Sequence, residues 1–230
     1  MLEWIDVWDG AALVWFFAVW AAYTAYADHG PAHARSITAA MNARRRAWMH
    51  EAARRDLRMI DTNILGNLLT GVGFFSSTTI FVIGGLIAMI GVADQSALAL
   101  ARLPLTDAAQ PAALEIKTAG LLVIFIYAFF KFAWAFRLAN YCSITVGGLP
   151  AAADGESAHS KRIAEVAAML SARSGHHFNR GLRAYFFALA ALGWLIGPAV
   201  FAVLTTGVAL VLYRREFKSK ALFALRDLNP

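Results

Sequence analysis

Lys131 is the residue of this chain whose position most calls for chemistry. It stands in Tyr127-Ala128-Phe129-Phe130-Lys131-Phe132-Ala133-Trp134, a run otherwise free of charge. An ionisable group inside such a run is costly and is a functional candidate by default. Its ammonium suits attraction of an anion or a pairing with a carboxylate such as Asp61; the plainer role is snorkelling toward headgroups, with Arg137 further along. Ser76-Ser77-Thr78-Thr79, preceded by Asn67 and Thr70, forms a second polar feature. Its hydroxyls either line a polar path or bond neighbouring helices. A third is the basic set Arg44, Arg45, Arg46, Arg54 and Arg55, candidates for binding lipid headgroups. No Asp or Glu lies within the long apolar blocks, which argues against a carboxylate proton relay. The histidines are His29, His33, His50, His159, His176 and His177, and they form no His-Glu-x-x-His set; His29 and His33 straddle Pro31. No metal or other cofactor is expected. Neither a phosphate-cradling loop nor a nucleophile elbow is present, so no catalytic residue is assigned.

The elements that must position these residues follow from composition. Of 230 residues, 59% are hydrophobic and 16% charged, against about 45–50% and about 25% in ordinary soluble domains. The apolar residues fall into four blocks, near Gly10–Tyr26, Ile64–Val92, Thr118–Ile144 and Ala184–Tyr213. Each approaches or exceeds the ~20 residues that carry a helix across ~30 Å of hydrocarbon. None alternates as barrel strands do. The expected fold is therefore all-α, a polytopic membrane bundle of four hydrophobic spans in a single membrane domain. The single cysteine, Cys142, forms no intramolecular disulfide and reads as a small apolar filler. The first eight residues carry Glu3 and Asp6 but no Lys or Arg, so the first span is expected to be retained rather than cleaved.

Lys and Arg at the span ends set the orientation. The first connection holds Arg35, Arg44, Arg45, Arg46, Arg54, Arg55 and Arg58; the second has only Arg102 and Lys117, with Pro104 and Pro111; the third has Lys161, Arg162, Arg173, Arg180 and Arg183. This predicts an inner-membrane protein with its N-terminus outside the cytoplasm and its first and third connections inside. The C-terminal Arg214, Arg215, Lys218, Lys220 and Arg226 then fall on the wrong side of a fourth crossing. The last block would exceed about 40 Å as one straight helix, and Gly197-Pro198 lies near its middle. Either it crosses once with a kink at Pro198, or it folds back and returns the basic tail to the cytoplasm. Gly193-x-x-x-Gly197, and more weakly Gly84-Gly85, mark expected close helix contacts.

Two amphipathic cytoplasmic helices are expected between the spans. One covers 37–61, with Met41, Trp48, Met49, Ala52, Leu57 and Ile60 on its apolar face, and runs on into the second span. It lies on anionic lipid or packs on its neighbour with its arginines solvated. The other covers 161–173 and ends at Ser174-Gly175. Gly147 to Ser160 reads as a flexible loop. The pI of 9.8 follows from the positive-inside bias, and no nucleic-acid partner is expected.

Three stretches carry a family resemblance. They are Arg44-Arg45-Arg46-Ala47-Trp48-Met49 with Arg55-Asp56 and Gly73-Phe74-Phe75-Ser76-Ser77-Thr78-Thr79-Ile80; Phe136-Arg137-Leu138-Ala139-Asn140-Tyr141; and Arg183-Ala184-Tyr185-Phe186-Phe187 with Trp194-Leu195-Ile196-Gly197-Pro198 and Leu212-Tyr213. In this order, over about Ala40 to Phe217, the chain resembles the membrane family catalogued as domain of unknown function 599. The resemblance implies a polytopic membrane protein and brings no functional residues with it. Three readings of function remain: a homo-oligomeric channel or transporter built on Lys131 and Ser76–Thr79, an accessory or scaffold subunit of a larger membrane complex, and an enzyme acting on lipid headgroups. Anionic membrane lipids and either a second copy or a larger complex are the expected partners.

Overall fold

The computed structural model describes residues 6–100 and 111–226. Glu3, Arg102 and Pro104 of the sequence reading lie outside the described residues. Among the described residues eight α-helices follow in order: α1 (Val7–His29), α2 (Ile37–Arg54), α3 (Met59–Gly91), α4 (Ala93–Leu100), α5 (Pro111–Gly147), α6 (Ala158–Ala191), α7 (Pro198–Phe217) and α8 (Lys220–Arg226). No strand occurs among the described residues. Four segments of the described residues are long and apolar enough to cross a membrane: Val7–His29, Met59–Gly91, Pro111–Gly147 and Pro198–Arg226.

Local chemistry starts and stops these helices. Asp6 caps α1, accepting from the Val7 amide at 2.6 Å. Ser36 and Ser157 cap α2 and α6 through the Ala39 and Ser160 amides, at 3.0 and 3.1 Å. Pro198 sits at the first position of α7, where its missing N–H costs nothing. The expected helix 37–61 is divided, because α2 stops at Arg54 and α3 begins at Met59. Arg58 explains the break. Its guanidinium donates to the Ala52 carbonyl at 3.0 Å, to Leu149 O at 3.0 Å and to Pro150 O, which satisfies the end of α2 and ties it to the loop after α5.

The expected stop at Ser174-Gly175 does not occur, and α6 runs on to Ala191. A glycine inside a helix costs about 1 kcal/mol against alanine, and here packing against α5 outweighs it. The Ser174 hydroxyl donates to the Ala135 carbonyl at 2.8 Å. Two turns later a Cβ at Gly181 would come within 2.5 Å of the Phe132 ring. The antiparallel pair α5–α6 is the spine of the molecule. It is pinned along its length by Cys142 Sγ donating to Ala167 O, by the Phe125–Tyr185 edge contact, and by Lys117 donating to Trp194 O.

The last apolar block is two helices, not one. Its first part completes α6 and a short 3-10 turn, Leu192–Leu195; the chain then reverses and α7 runs back. Trp194 lies beside Asp9 at the start of α1, whereas Tyr213 and Phe217 meet Tyr26 at the end of α1. Of the two alternatives at Gly197-Pro198, the fold-back is the one formed. Phe16, Phe132, Phe187 and Phe201 fill the centre where α1, α5, α6 and α7 meet. A second cluster, Met49, Leu65, Cys142, Val146 and Ala164, joins α2 and α3 to the far ends of α5 and α6. The outer faces stay apolar, with Phe74, Phe81, Val123, Phe130 and Val203 exposed as a lipid-facing surface requires.

The two glycines of Gly193-x-x-x-Gly197 are not equivalent. A Cβ at Gly193 would come 2.7 Å from Leu204 Cδ1 and 3.3 Å from the Phe201 backbone, whereas at Gly197 it would meet nothing. Gly84 and Gly85 likewise face open space within the chain. Gly193→Ala is expected to destabilise by about 1–3 kcal/mol through overpacking, and Gly197→Ala to be neutral. Thermal unfolding in detergent reads both; equal melting temperatures would discard this account of the hairpin.

Candidate functional site

The fold collects the ionisable side chains at three levels. At one end, Asp9 Oδ1 accepts from Trp194 Nε1 at 2.6 Å and lies 3.4 Å from Lys117 Nζ. This latch joins the first turn of α1, the start of α5 and the α6–α7 reversal.

Deeper in the bundle, Asp28 at the end of α1 takes two arginines from α6. Arg183 Nη1 is 2.7 Å from Oδ1, Arg180 Nη2 is 2.7 Å from Oδ2, and His176 Nε2 stands 3.9 Å away. The Asp28 side chain is 2% exposed. Arg183 also stacks over the Tyr23 ring. Counting residues back from Trp194, Arg183 and Arg180 lie about 16 and 21 Å down α6, within the depth of a ~30 Å hydrocarbon layer. The sequence reading placed both arginines in a connection. Their spacing of three on one helix face was the available signal, but their partner lies more than 150 positions away.

Lys131 lies at this depth on α5 and does not pair with Asp61. Its Nζ sits 5.0 Å over the Tyr127 ring. Asp61 is committed elsewhere: fully buried, its Oδ1 accepts from Trp48 Nε1 and from Arg55 Nη1, each at 2.7 Å. The Ser76–Thr79 cluster does not gather on one face. Thr79 is buried and shares a 2.6 Å hydrogen bond with the Tyr185 hydroxyl, while Ser77 points outward. Phe75 packs edge-on to Phe178 and Tyr185 beside it, with the Phe132 ring tilted against Phe75 and Phe178.

The third level is the basic end, where the five candidate arginines on and after α2 separate. Arg46 and His50 both reach Glu165 of α6, at 2.8 and 2.6 Å. Arg54 pairs with Glu156, which Lys161 also holds at 2.8 Å. Arg55 belongs to Asp61. Arg44 is half-buried on the same helix. Arg45 differs: it turns into a cavity of about 170 Å³ between α2, α3, α5 and α6, lined by Leu68, Gly71, Val72, Cys142, Ser171 and Phe178 among others. Its Nη1 donates to Asn42 Oδ1 at 2.8 Å, and no carboxylate lies within 4 Å of it among the described residues. Burial holds its guanidinium pKa below the ordinary value. No group of three metal-ligating side chains occurs among the described residues.

These features define an all-α, multi-pass membrane protein in which apolar helices enclose one charged, amphipathic helix. The chain belongs to the family described as "Protein of unknown function, DUF599", whose model matches residues 11–221. No curated protein and no solved structure matches it.

Asp28→Asn leaves Arg180 and Arg183 without a buried counter-charge and is expected to cost about 3–5 kcal/mol. Lys131→Met breaks no ion pair among the described residues and should leave the melting temperature near that of the unaltered protein. Measured in detergent, a reversed order of these two variants would refute the structural role given to Asp28. A pH response belongs to Glu165, whose carboxyl pKa is held below its ordinary 4.5 by hydrogen bonds from Arg46 and then His50. A carboxyl lowered on folding stabilises above its unfolded pKa and loses that contribution as pH falls through the folded one. Relative to the intrinsic exchange rate at each pH, amide exchange in α2 is therefore expected to accelerate below about pH 4.5. In Glu165→Gln the acid-dependent rise should be smaller.

Proposed function

We propose that this chain is an anionic-lipid-binding protein of the cell (inner) membrane, with its N-terminus outside and its basic end on the cytoplasmic leaflet. One observation carries the reading: the reversal at Gly197-Pro198 brings the basic tail to the same end as α2 and the start of α6. The Thr38 amide donates to Glu216 at 3.2 Å, and Arg226 donates to the Arg35 carbonyl at 2.5 Å. At the opposite end Lys117 is the only Lys or Arg among the described residues. On this reading α6 crosses beside the four apolar segments found among the described residues, which makes five crossings and leaves the two ends of the chain on opposite sides. The positive-inside conflict of a four-crossing reading then disappears. A basic end with Trp48 at its base suits a leaflet carrying phosphatidylglycerol or similar lipids, which attracts each nearby Lys or Arg by about 1 kcal/mol.

A homo-oligomeric transporter and a subunit of a larger complex are the other readings. α3 favours them in one respect: it leaves Phe74, Ile80, Phe81 and Ile87 uncovered within the chain, a face that a second helix or lipid would cover. Retention of flux in Lys131→Met would remove Lys131 from any transport mechanism.

Ser219→Cys tests the orientation, since the native Cys142 is buried and serves as a silent background. A membrane-impermeant maleimide should label it in inverted vesicles and not in intact cells. Labelling from the outside would overturn the proposal.

A further inference from the structure

We propose that the Arg45 cavity is a binding site for one anionic membrane lipid. The headgroup oxyanion seats on the guanidinium, and the acyl chain leaves along the α3 flank past Leu68 and Gly71. The proposal deepens the reading above and rests on it in one respect, that the basic end meets an anionic leaflet.

Three independent features point to such a ligand. The first is valence. A guanidinium offers five N–H donors in a planar fork suited to carboxylate or phosphate. Arg46, Arg54, Arg55, Arg180 and Arg183 each meet a carboxylate of this chain. Arg45 meets the neutral Asn42 amide. A buried charge lacking its counterpart is expensive, and an oxyanion supplied from outside provides it. Another cavity, by Tyr23, Arg183 and Arg215, includes its own carboxylate, Glu216, and so lacks this demand.

The second is shape. Gly175 leaves room on α6 for the arginine, since a Cβ there would come 2.7 Å from Nη2. On the other wall Gly71 adds no side chain, and Leu68 and Gly71 are exposed, so the mouth opens on the outer flank of α3. The volume of about 170 Å³ equals roughly five or six waters at ~30 Å³ each. That accommodates an oxyanion group but not a whole lipid, whose chain must lie outside against α3.

The third is position. The cavity opens beside Leu68 and Gly71 at the start of the apolar run of α3, with Arg45 on its α2 wall and Val72 and Phe178 further along the bundle. A headgroup above an acyl chain has the same polarity.

The test uses the full chain in phosphatidylcholine nanodiscs doped with phosphatidylglycerol, and native mass spectrometry of the protein released from them. The unaltered protein should retain one phosphatidylglycerol. Arg45→Gln should weaken retention about tenfold or more, as loss of a charge-assisted hydrogen bond implies. Gly175→Ala, which crowds the guanidinium without removing it, should weaken it by a smaller factor, with unchanged circular dichroism in both. The double variant R46Q/R54Q, which removes general attraction but not the cavity's guanidinium, should weaken retention less than Arg45→Gln does. Equal retention by folded Arg45→Gln overturns the site, as does a double variant that loses lipid while Arg45→Gln keeps it; the second result still upholds general attraction to the basic surface. Absence of retention in every form overturns both proposals. Displacement of the lipid by millimolar inorganic phosphate reassigns the cavity to a free anion and overturns the lipid.

Discussion

The bundle is organised around a cost: α6 carries two arginines to a depth where neither is tolerated alone. A charge taken out of water without a counter-charge is expensive wherever along the bundle it lies. Asp28 offsets this by meeting both guanidinium groups with separate oxygens. Because the carboxylate belongs to α1 and the arginines to α6, the pairing also fixes how deep the two helices sit relative to one another. The apolar helices then close around α6. Phe16 of α1, Phe132 of α5 and Phe201 of α7 pack on it from different sides, each almost wholly buried. The interior is thus aromatic above and charged below, with the Tyr23 ring placed where the two regimes meet.

The same helix serves a second storey. With 37 and 34 residues, α5 and α6 are about 55 and 51 Å long, some 20 Å longer than the ~30 Å hydrocarbon layer. Their surplus forms the platform on which α2 lies. Small residues, Ala164, Ala167 and Ala168, allow α2 to come close, and Met49 fills the seam completely out of solvent. Arg58 then fastens α2, the start of α3 and the loop after α5 through backbone carbonyls. The basic end is therefore a folded unit continuous with the membrane helices, rather than a set of loops hanging from them.

Much of the architecture could be read from residue types, because membrane burial leaves a direct mark on composition. The blocks containing Phe74–Ile80 and Leu121–Trp134 could hardly be anything but spans, and the family was already recognisable in the order of its short motifs. What escaped has a physical reason in each case. Ser174-Gly175 has the signature of a helix end, yet Ser174 finds a carbonyl on α5 and Gly175 makes space for Arg45, so tertiary contacts override a local signal. Pro198 is ambiguous by nature: the residue that kinks a helix also starts one, and only the position of Asp9 beside Trp194 decides between them. Arg180 and Arg183 looked like loop charges because their partner, Asp28, lies 152 and 155 positions away. Arg45 was visible among its neighbours, but its distinction from Arg46 and Arg54 depends on where Glu165 and Glu156 fall.

The hairpin of α6 and α7 also bears on how the protein is made. α1, α3, α5 and the segment that contains α7 each have the apolarity to enter the bilayer on their own. The inner half of α6 lacks it until a counter-charge and a covering helix are available. Asp28 is synthesised long before its arginines, so the acidic partner already waits in the membrane when α6 arrives. α7 follows after a reversal too short to delay it. By the same measure α7 has the apolarity to enter alone, and α6 is the long helix whose placement depends on what the others supply.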